Sequence, residues 1–443
     1  MMKLNTKRTV LIGLAFMSVL AFWQFYDQMI PVILENHFGR STLATNAIMS
    51  IDNILAVFML PLFGTLSDKT QTRLGKRTPY ILFGTVAAVI LMVVMCIFTE
   101  THSFAGFFVC LMLLLVTMSV YRSPTAAYMP DVTPKPLRSK GNAIINLVGY
   151  VGGIFSTIIM MFIVTSTEGA DGKLVYGSFV PIFTVVAAFM LITVLIMVFT
   201  VNENKVVAET AHEMAEEDDD TPAASAKKLP REVKKSLIFI LLSVFLWFTA
   251  YNGVTTSFSR YFENKFHVDA GDSSLYLTVA TVVAIISFVP LGTISSKLGR
   301  KKTIIFGVAL MTVCYGVMFF LNEVSALMYI IFGLVGIGWA AINVNSFPMV
   351  VEMCTGSDVG KFTGYYYAFS MSAQIVTPFL SALVISKSEV FGLSLGLGLG
   401  YGALFPYAVV FSALAIVTMI FVRHGDSKPE AKKSVLENFD VDD

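Results

Sequence analysis

Hydrophobic residues in this chain come in twelve long runs separated by shorter polar stretches. The runs lie at 9–33, 45–67, 78–98, 103–124, 141–166, 177–200, 236–260, 274–294, 303–321, 324–345, 362–386 and 397–422. Each is long enough to cross ~30 Å of hydrocarbon at ~1.5 Å per helical residue. A chain inside lipid must satisfy its own backbone hydrogen bonds, so runs of this length are read as helices. The pattern predicts an all-α integral membrane protein of twelve transmembrane helices. The longest polar stretch, 201–235, divides them into six and six. The expected organisation is a bundle over 1–200, a linker over 201–235, a second bundle over 236–422 and a tail over 423–443. The linker holds an acidic run from Glu216 to Asp220, then Pro222, then Lys227 and Lys228. It reads as a flexible tether with a helical end near 231–236.

Composition agrees with this picture. The 443 residues are 56% hydrophobic and 14% charged, with a mean hydropathy of +0.74. Too few charges remain to cover a soluble protein of this size. No basic groove suggests nucleic acid. The four cysteines, Cys96, Cys110, Cys314 and Cys354, show neither CxxC nor Cys/His spacing, so neither disulfide nor metal site is expected. No cofactor motif or phosphate-cradling loop is present, and a monomer is expected. The first run follows Lys3, Lys7 and Arg8 and is too long for a signal-peptide core, so it is read as the first span.

The distribution of charge gives the topology. Of 31 Lys and Arg, 25 fall in the termini and the loops after even-numbered spans. By the positive-inside rule both termini are expected in the cytoplasm of a cell membrane.

The halves echo one another. Gly64-Thr65-Leu66-Ser67-Asp68-Lys69 closes the second span, and Gly292-Thr293-Ile294-Ser295-Ser296-Lys297 closes the eighth. A looser echo sets Asp131, Arg138 and Gly141 against Glu352, Lys361 and Gly364. Parallel six-span repeats build transporters that rock about a central site.

The Gly-x-x-x-Asp-Lys string, its basic Gly-Lys-Arg cluster and their repeat at Gly292 to Lys302 resemble the signature loop of the major facilitator superfamily. The longer string from Pro61 to Gly84 is similar to that of the sucrose and disaccharide proton symporters. It is also similar to that of the glycoside–pentoside–hexuronide:cation symporters. The resemblance implies the major facilitator fold, with two six-helix pseudo-repeats, and alternating access to a midplane site. It implies that Asp68, with Lys69, Arg73 or Arg77 or a helix N-terminus of the other half, forms a gate on the linker face. Ser296 stands where the second copy would carry the aspartate, so only the first clamp is expected to be ionic. Asp131 is expected to pair with Arg138 or Lys140, and Glu352 with Lys361. The plant-type sucrose symporters carry an arginine that the matching places at Ala126, one turn from Arg122. The aspartates of the melibiose-type sodium site have no counterparts in spans one and two, which points away from sodium.

A charge in hydrocarbon costs at least ~2.5–3.5 kcal/mol, so each one within a span is a functional candidate. Asp27, Asp52 and Arg122 stand out. Two carboxylates in a poorly solvated site share a proton more readily than both ionise, so Asp27 and Asp52 are candidates for proton coupling. The alternative is that they anchor helix ends in water at the rim. Arg122 cannot discharge; it either serves as counter-charge and sugar ligand or snorkels to the interface.

Sugars bind through aromatic faces and amide or hydroxyl groups. Such groups recur at helical spacing, giving Trp23, Gln24, Asn53, Asn146, Trp247, Tyr251, Asn252, Trp339, Asn343, Tyr366 and Gln374 as candidate substrate residues. Any one of them can equally be an interhelical hydrogen-bonding group. The resulting expectation is a secondary transporter, not an enzyme, that moves a neutral sugar with protons across the bilayer. A carrier or exporter of a hexuronide or drug, and a non-transporting membrane sensor, are the alternatives.

Overall fold

The computed structural model describes residues 4–40, 42–164, 166–168, 174–218, 229–268, 270–354, 358–385, 388–390, 393–395 and 397–426. In chain order the helices are α1 (Thr6–Val32), α2 (Thr42–Met49), α3 (Ile51–Lys69), α4 (Thr78–Glu100), α5 (Phe104–Asp131), α6 (Arg138–Ile163) and α7 (Val180–Thr200). There follow α8 (Glu203–Asp218), α9 (Arg231–Phe266), α10 (Ala270–Leu298), α11 (Arg300–Phe320), α12 (Leu327–Val351), α13 (Val359–Ile385) and α14 (Leu404–Ile420). All except α2 and α8 belong to the twelve helices long and apolar enough to span a membrane. One π-helical turn, Ile33–His37, extends α1. The only strands among the described residues form two short antiparallel hairpins, β1 (Ser166–Glu168) with β2 (Leu174–Tyr176) and β3 (Ser388–Val390) with β4 (Leu393–Leu395).

These helices exist because the bilayer leaves the backbone no other partner. Tertiary packing then sorts their faces. Phe58, Phe83, Phe162, Phe199, Phe320 and Phe379 lie exposed on the outside, where lipid would cover them. Two large buried cores form. One runs through α9–α14, around Trp247, Phe258, Phe262 and Phe332, and also takes in Ala126, Ala127, Met129 and Ile145 of the first half. Another lies within the first six spans, around Phe22, Phe25, Phe107 and Phe183. Two small clusters bridge the halves: Ala143 with Phe288, Leu291 and Val344, and Ala56 and Leu60 with Met371.

The internal repeat is visible in the packing. In the first half α1 pairs with α6 and α7, α4 with α5 and α7, and α3 with α5. The counterparts recur in the second: α9 with α13 and α14, α11 with α12 and α14, and α10 with α12. The halves meet along α3–α13 and its counterpart α10–α6. Such seams need small residues. A Cβ on Gly64 would lie 2.0 Å from the carbonyl oxygen of Gly360, and one on Gly364 would lie 2.2 Å from the Cα of Pro61.

The linker differs from its expectation. It is not a tether throughout: α8 folds back on the first half. Val206 is buried with Tyr128, Val132 and Val201, and Asn204 Nδ2 donates to the carbonyls of Thr72 and Arg73. The polar composition concealed a helix that docks through a few residues.

Candidate functional site: an inter-bundle cavity and its gate

Between the halves lies a cavity of about 180 Å³, walled by α1, α5, α6, α9, α12 and α13. Arg122 projects into it from α5. Its guanidinium sits between two rings, 4.9 Å from the centroid of Trp23 and 5.3 Å from that of Tyr367. One ring comes from each half. Among the described residues the guanidinium has no hydrogen bond or ion pair. Five donors are therefore available to whatever enters. Ala126 lines the same cavity one turn away, so the charge enters the chamber from Arg122 and not from the position the family matching indicated.

Amides surround the guanidinium. Asn146 and Asn343 line the cavity, and each donates Nδ2 to a carbonyl one turn earlier in its own helix, Asn142 at 2.8 Å and Trp339 at 3.0 Å. Each amide is oriented by its own helix in this way, with its oxygen left over. Asn142 donates at 3.0 Å to the carbonyls of Asn343 and Val344, tying α6 to α12. Gln374 lines the wall from α13. Tyr366 lines it too, but its hydroxyl is 3.0 Å from Ser346 Oγ and is already satisfied.

Asp27 and Asp52 do not line the chamber itself, but lie within electrostatic reach of Arg122. Asp27 reaches solvent although its neighbours Phe25, Tyr26, Met29 and Ile30 are buried. Asp27 interacts electrostatically with Asp52, and both do so with Arg122. Asn53 is drawn into the same group, its Nδ2 donating to Asp52 Oδ1 at 2.9 Å. Gln24 is half-buried beside Gly153.

Other candidates lie elsewhere. Trp247 is buried within the second half and does not line the cavity. Phe248 does. The interfacial stripe of α9 is narrow, because α13 and α14 cover its sides, and one residue is a rotation of ~100°. Tyr251 stacks on Trp339 with centroids 3.8 Å apart and planes 5° apart, beside Tyr150 at a separate void of about 30 Å³. Asn252 is half-buried, and its Nδ2 has no partner among the described residues.

The face carrying both ends of the bundles is closed by two charged clusters. In the first, the Asp68 carboxylate accepts Arg77 Nη2 at 2.5 Å and the backbone N–H groups of Gly360 and Lys361 at 2.8 Å each. A carboxylate of one half thus caps the N-terminus of α13 in the other, where the helix dipole favours it. Arg77 is wholly buried and also donates Nε to Asp131 at 2.7 Å and Nη1 to Ser67 Oγ. Lys76 Nζ adds a second contact to Asp131 at 3.0 Å. Asp131 therefore pairs with Arg77 and Lys76, not with Arg138 or Lys140, because the loop before α4 folds beneath the end of α5. Lys69 and Arg73 point into solvent.

The second cluster is also ionic, contrary to expectation. Ser296 merely bonds Gly292 of its own helix, at 2.9 Å. The charge comes instead from Glu352, which accepts Arg300 Nη1 at 2.7 Å and Arg138 Nη1 at 3.4 Å. Arg300 crosses to the first half, donating Nε to Ser139 Oγ at 2.8 Å and Nη2 to the Lys135 carbonyl. Lys361, expected as the partner of Glu352, instead lies 3.8 Å from Asp358. Sequence reasoning placed Arg300 in a basic loop and overlooked its role. The signal was its place beside Gly299, in the repeat of the loop that holds Gly75 and Arg77.

Two pseudo-symmetric bundles, closed together on one face around a polar cavity, define a multi-pass membrane transporter. Comparison with known proteins supplies the family. The model of the Major Facilitator Superfamily matches residues 12–378 and 259–438, and the chain belongs to that superfamily. Solved structures agree at the level of fold. The transporter FucP in its outward conformation superposes with a TM-score of 0.67 at 13% identity, covering 94% of this chain and 99% of that one. The human organic anion transporter TETRAN gives 0.68 at 14% identity over 95% and 100%. The proton:xylose symporter XylE, bound to 6-bromo-6-deoxy-D-glucose, gives 0.62 at 14% over 95% of each chain. No curated sequence relative matches.

Proposed function

We propose that this transporter carries a sugar across the cytoplasmic membrane together with protons, with both termini in the cytoplasm. The observation that carries the reading is Arg122, held between Trp23 and Tyr367 in a chamber lined by Asn146, Asn343 and Gln374. Planar cation, aromatic faces and oriented amides are the groups that polyhydroxylated rings engage. Asp27 and Asp52, within electrostatic reach of that guanidinium, supply groups on which a proton can travel. The ionic clusters close the linker face in the state described, which supports access to the chamber from the opposite face. One proton moving down 100 mV supplies ~2.3 kcal/mol. Each pH unit adds ~1.4 kcal/mol. Together they support accumulation of roughly several hundredfold at one proton per sugar.

A second reading has its own support. Arg122 faces the cavity without a bonded counter-ion, as an anionic substrate such as a hexuronide requires. Uptake into energised proteoliposomes, with neutral and acidic sugars in competition, separates the two. The first reading expects neutral mono- or disaccharides to accumulate and an uncoupler to abolish it. Accumulation that ignores the uncoupler and follows sodium overturns proton coupling. Competition by acidic sugars alone establishes the second reading.

A further inference from the structure

We infer that Glu203 and Asp426, which lie outside the spanning helices, are positioning residues that hold the gate arginines in place. The linker and the tail then act as clasps on the closed state. This rests on alternate opening of the linker face but not on the identity of the substrate.

Glu203 opens α8 and is buried, with 1% of its surface exposed. Burying a carboxylate requires compensation by hydrogen bonds. Here there are several. Its oxygens accept the backbone N–H groups of Lys76 at 3.0 Å, Arg77 at 3.0 and 3.1 Å and Thr78 at 2.8 Å. Thr78 Oγ1 adds another at 2.8 Å. The first N–H groups of a helix have no partner within it, and α4 begins at Thr78. Glu203 supplies that partner from 125 residues away. The loop is shaped to receive it. Gly75 turns with φ +113°, and a Cβ there would lie 2.2 Å from Glu203 Oε2.

The residue so pinned is Arg77, whose side chain holds both Asp68 and Asp131. Among the described residues, all the hydrogen bonds of the Glu203 carboxylate go to the first half. It fixes the backbone from which the gate's guanidinium reaches.

The second half repeats the device. Beyond α14, Asp426 Oδ1 accepts the backbone N–H of Arg300 at 2.6 Å and of Lys301 at 3.3 Å, at the start of α11. Gly299 turns there with φ +96°, against the Asp426 carboxylate. The pinned residue is again an arginine of the gate: Arg77 holds Asp68, which crosses to α13, and Arg300 itself crosses to Ser139. Asp426 is exposed and makes two bonds where Glu203 is buried and makes five, so its loss is the milder.

Cys354 provides a native reporter. It lies at the gate, within electrostatic range of Arg138, Asp131, Glu352 and Asp68. Burial pushes its thiol up to about 12. Cys354 is half-buried, and thiolate is the reactive form, so labelling is expected to be slower in the closed state than after opening solvates the group. With Cys96, Cys110 and Cys314 replaced by alanine, maleimide labelling of purified protein reads the opening rate. Glu203→Gln is expected to accelerate labelling by an order of magnitude or more, and Asp426→Asn by a few-fold. Glu209→Gln, at an exposed pair with Arg8, should leave it unchanged. Cutting the chain at a protease site inserted within 219–228 should also leave it unchanged, because a clasp, unlike a tether, needs no continuity. Unaltered labelling in Glu203→Gln, or equal acceleration by cutting alone, overturns the proposal. If Glu203→Gln does not fold, solvent-exposed Asp426→Asn decides it alone.

Discussion

Arg122 cannot shed its proton, and among the described residues none answers its charge with a hydrogen bond. A guanidinium between two aromatic faces keeps its attraction to both while presenting edge donors to the chamber. Lysine offers a point charge without the planar fork. Arg122→Lys is therefore expected to weaken substrate binding by roughly 10- to 100-fold, about 1.4–3 kcal/mol. Equilibrium binding or half-saturation of uptake measures it, and an unchanged value would show that Arg122 acts only as counter-charge. The carboxylates make a separable prediction. Asp27→Asn or Asp52→Asn removes a titrating group but leaves the chamber's shape, so substrate exchange should persist while uphill accumulation is lost. If both variants accumulate normally in energised vesicles, neither carries the proton. At this scale the sequence showed which side chains were out of place in lipid, since an intramembrane charge is costly wherever it sits. It could not show which of two adjacent residues faces inward. Trp247 and Phe248 differ by one rotation along α9, and only the neighbouring helices decide between core and cavity.

At the scale of elements, the seams between halves are set by backbone approach. Gly360 lies where a Cβ would meet the Gly64 carbonyl oxygen at 2.2 Å, as well as Arg77 Nη1 and Asp68 Oδ1. The carbonyl belongs to a packed helix and cannot step aside. Gly360→Ala should therefore wedge α3 from α13 in the closed state while leaving each bundle intact. Overpacking of this kind costs about 1–3 kcal/mol, a shift of roughly 5- to 150-fold toward the conformation open on this face. A cysteine pair across the seam, scored by crosslinking, reports it, and undiminished crosslinking would refute the wedge. The spans themselves were legible from hydropathy, because length and apolarity suffice to make a helix in lipid. The docking of α8 was not. Its few anchors, Glu203, Asn204 and Val206, sit in a polar segment whose average looks like a tether. Its partner, the start of α4, is distant in sequence.

For the whole molecule, closure is made at two seams related by the internal repeat, and how they open tests the rocking of rigid halves. The first seam is held by Asp68 and Arg77, the second by Glu352, Arg300 and Arg138. The repeat was visible in sequence, yet its chemistry was not copied. An aspartate lost at Ser296 is replaced by a glutamate on another helix, and only the folded chain brings Glu352 to Arg300. Removing the Asp68 charge forfeits charge-assisted bonds worth about 1.5–3 kcal/mol each, offset in part by rehydration of Arg77. If each half moves as one body, the second seam must open with the first, although nothing there was altered. Reporter thiols at Thr363, a buried residue of α13 next to the seam glycine Gly364, and at Ala143 on α6, buried against Phe288 and Leu291, follow the two separately. In Asp68→Asn both should be labelled faster from the linker face, by similar factors. Glu352→Gln should do the same from the other side, and the two effects should add in free energy, because among the described residues the two clusters share no hydrogen bond or ion pair. Acceleration at Thr363 with continued protection at Ala143 would mean that the seams unzip independently, and that α13 bends while its bundle stays in place.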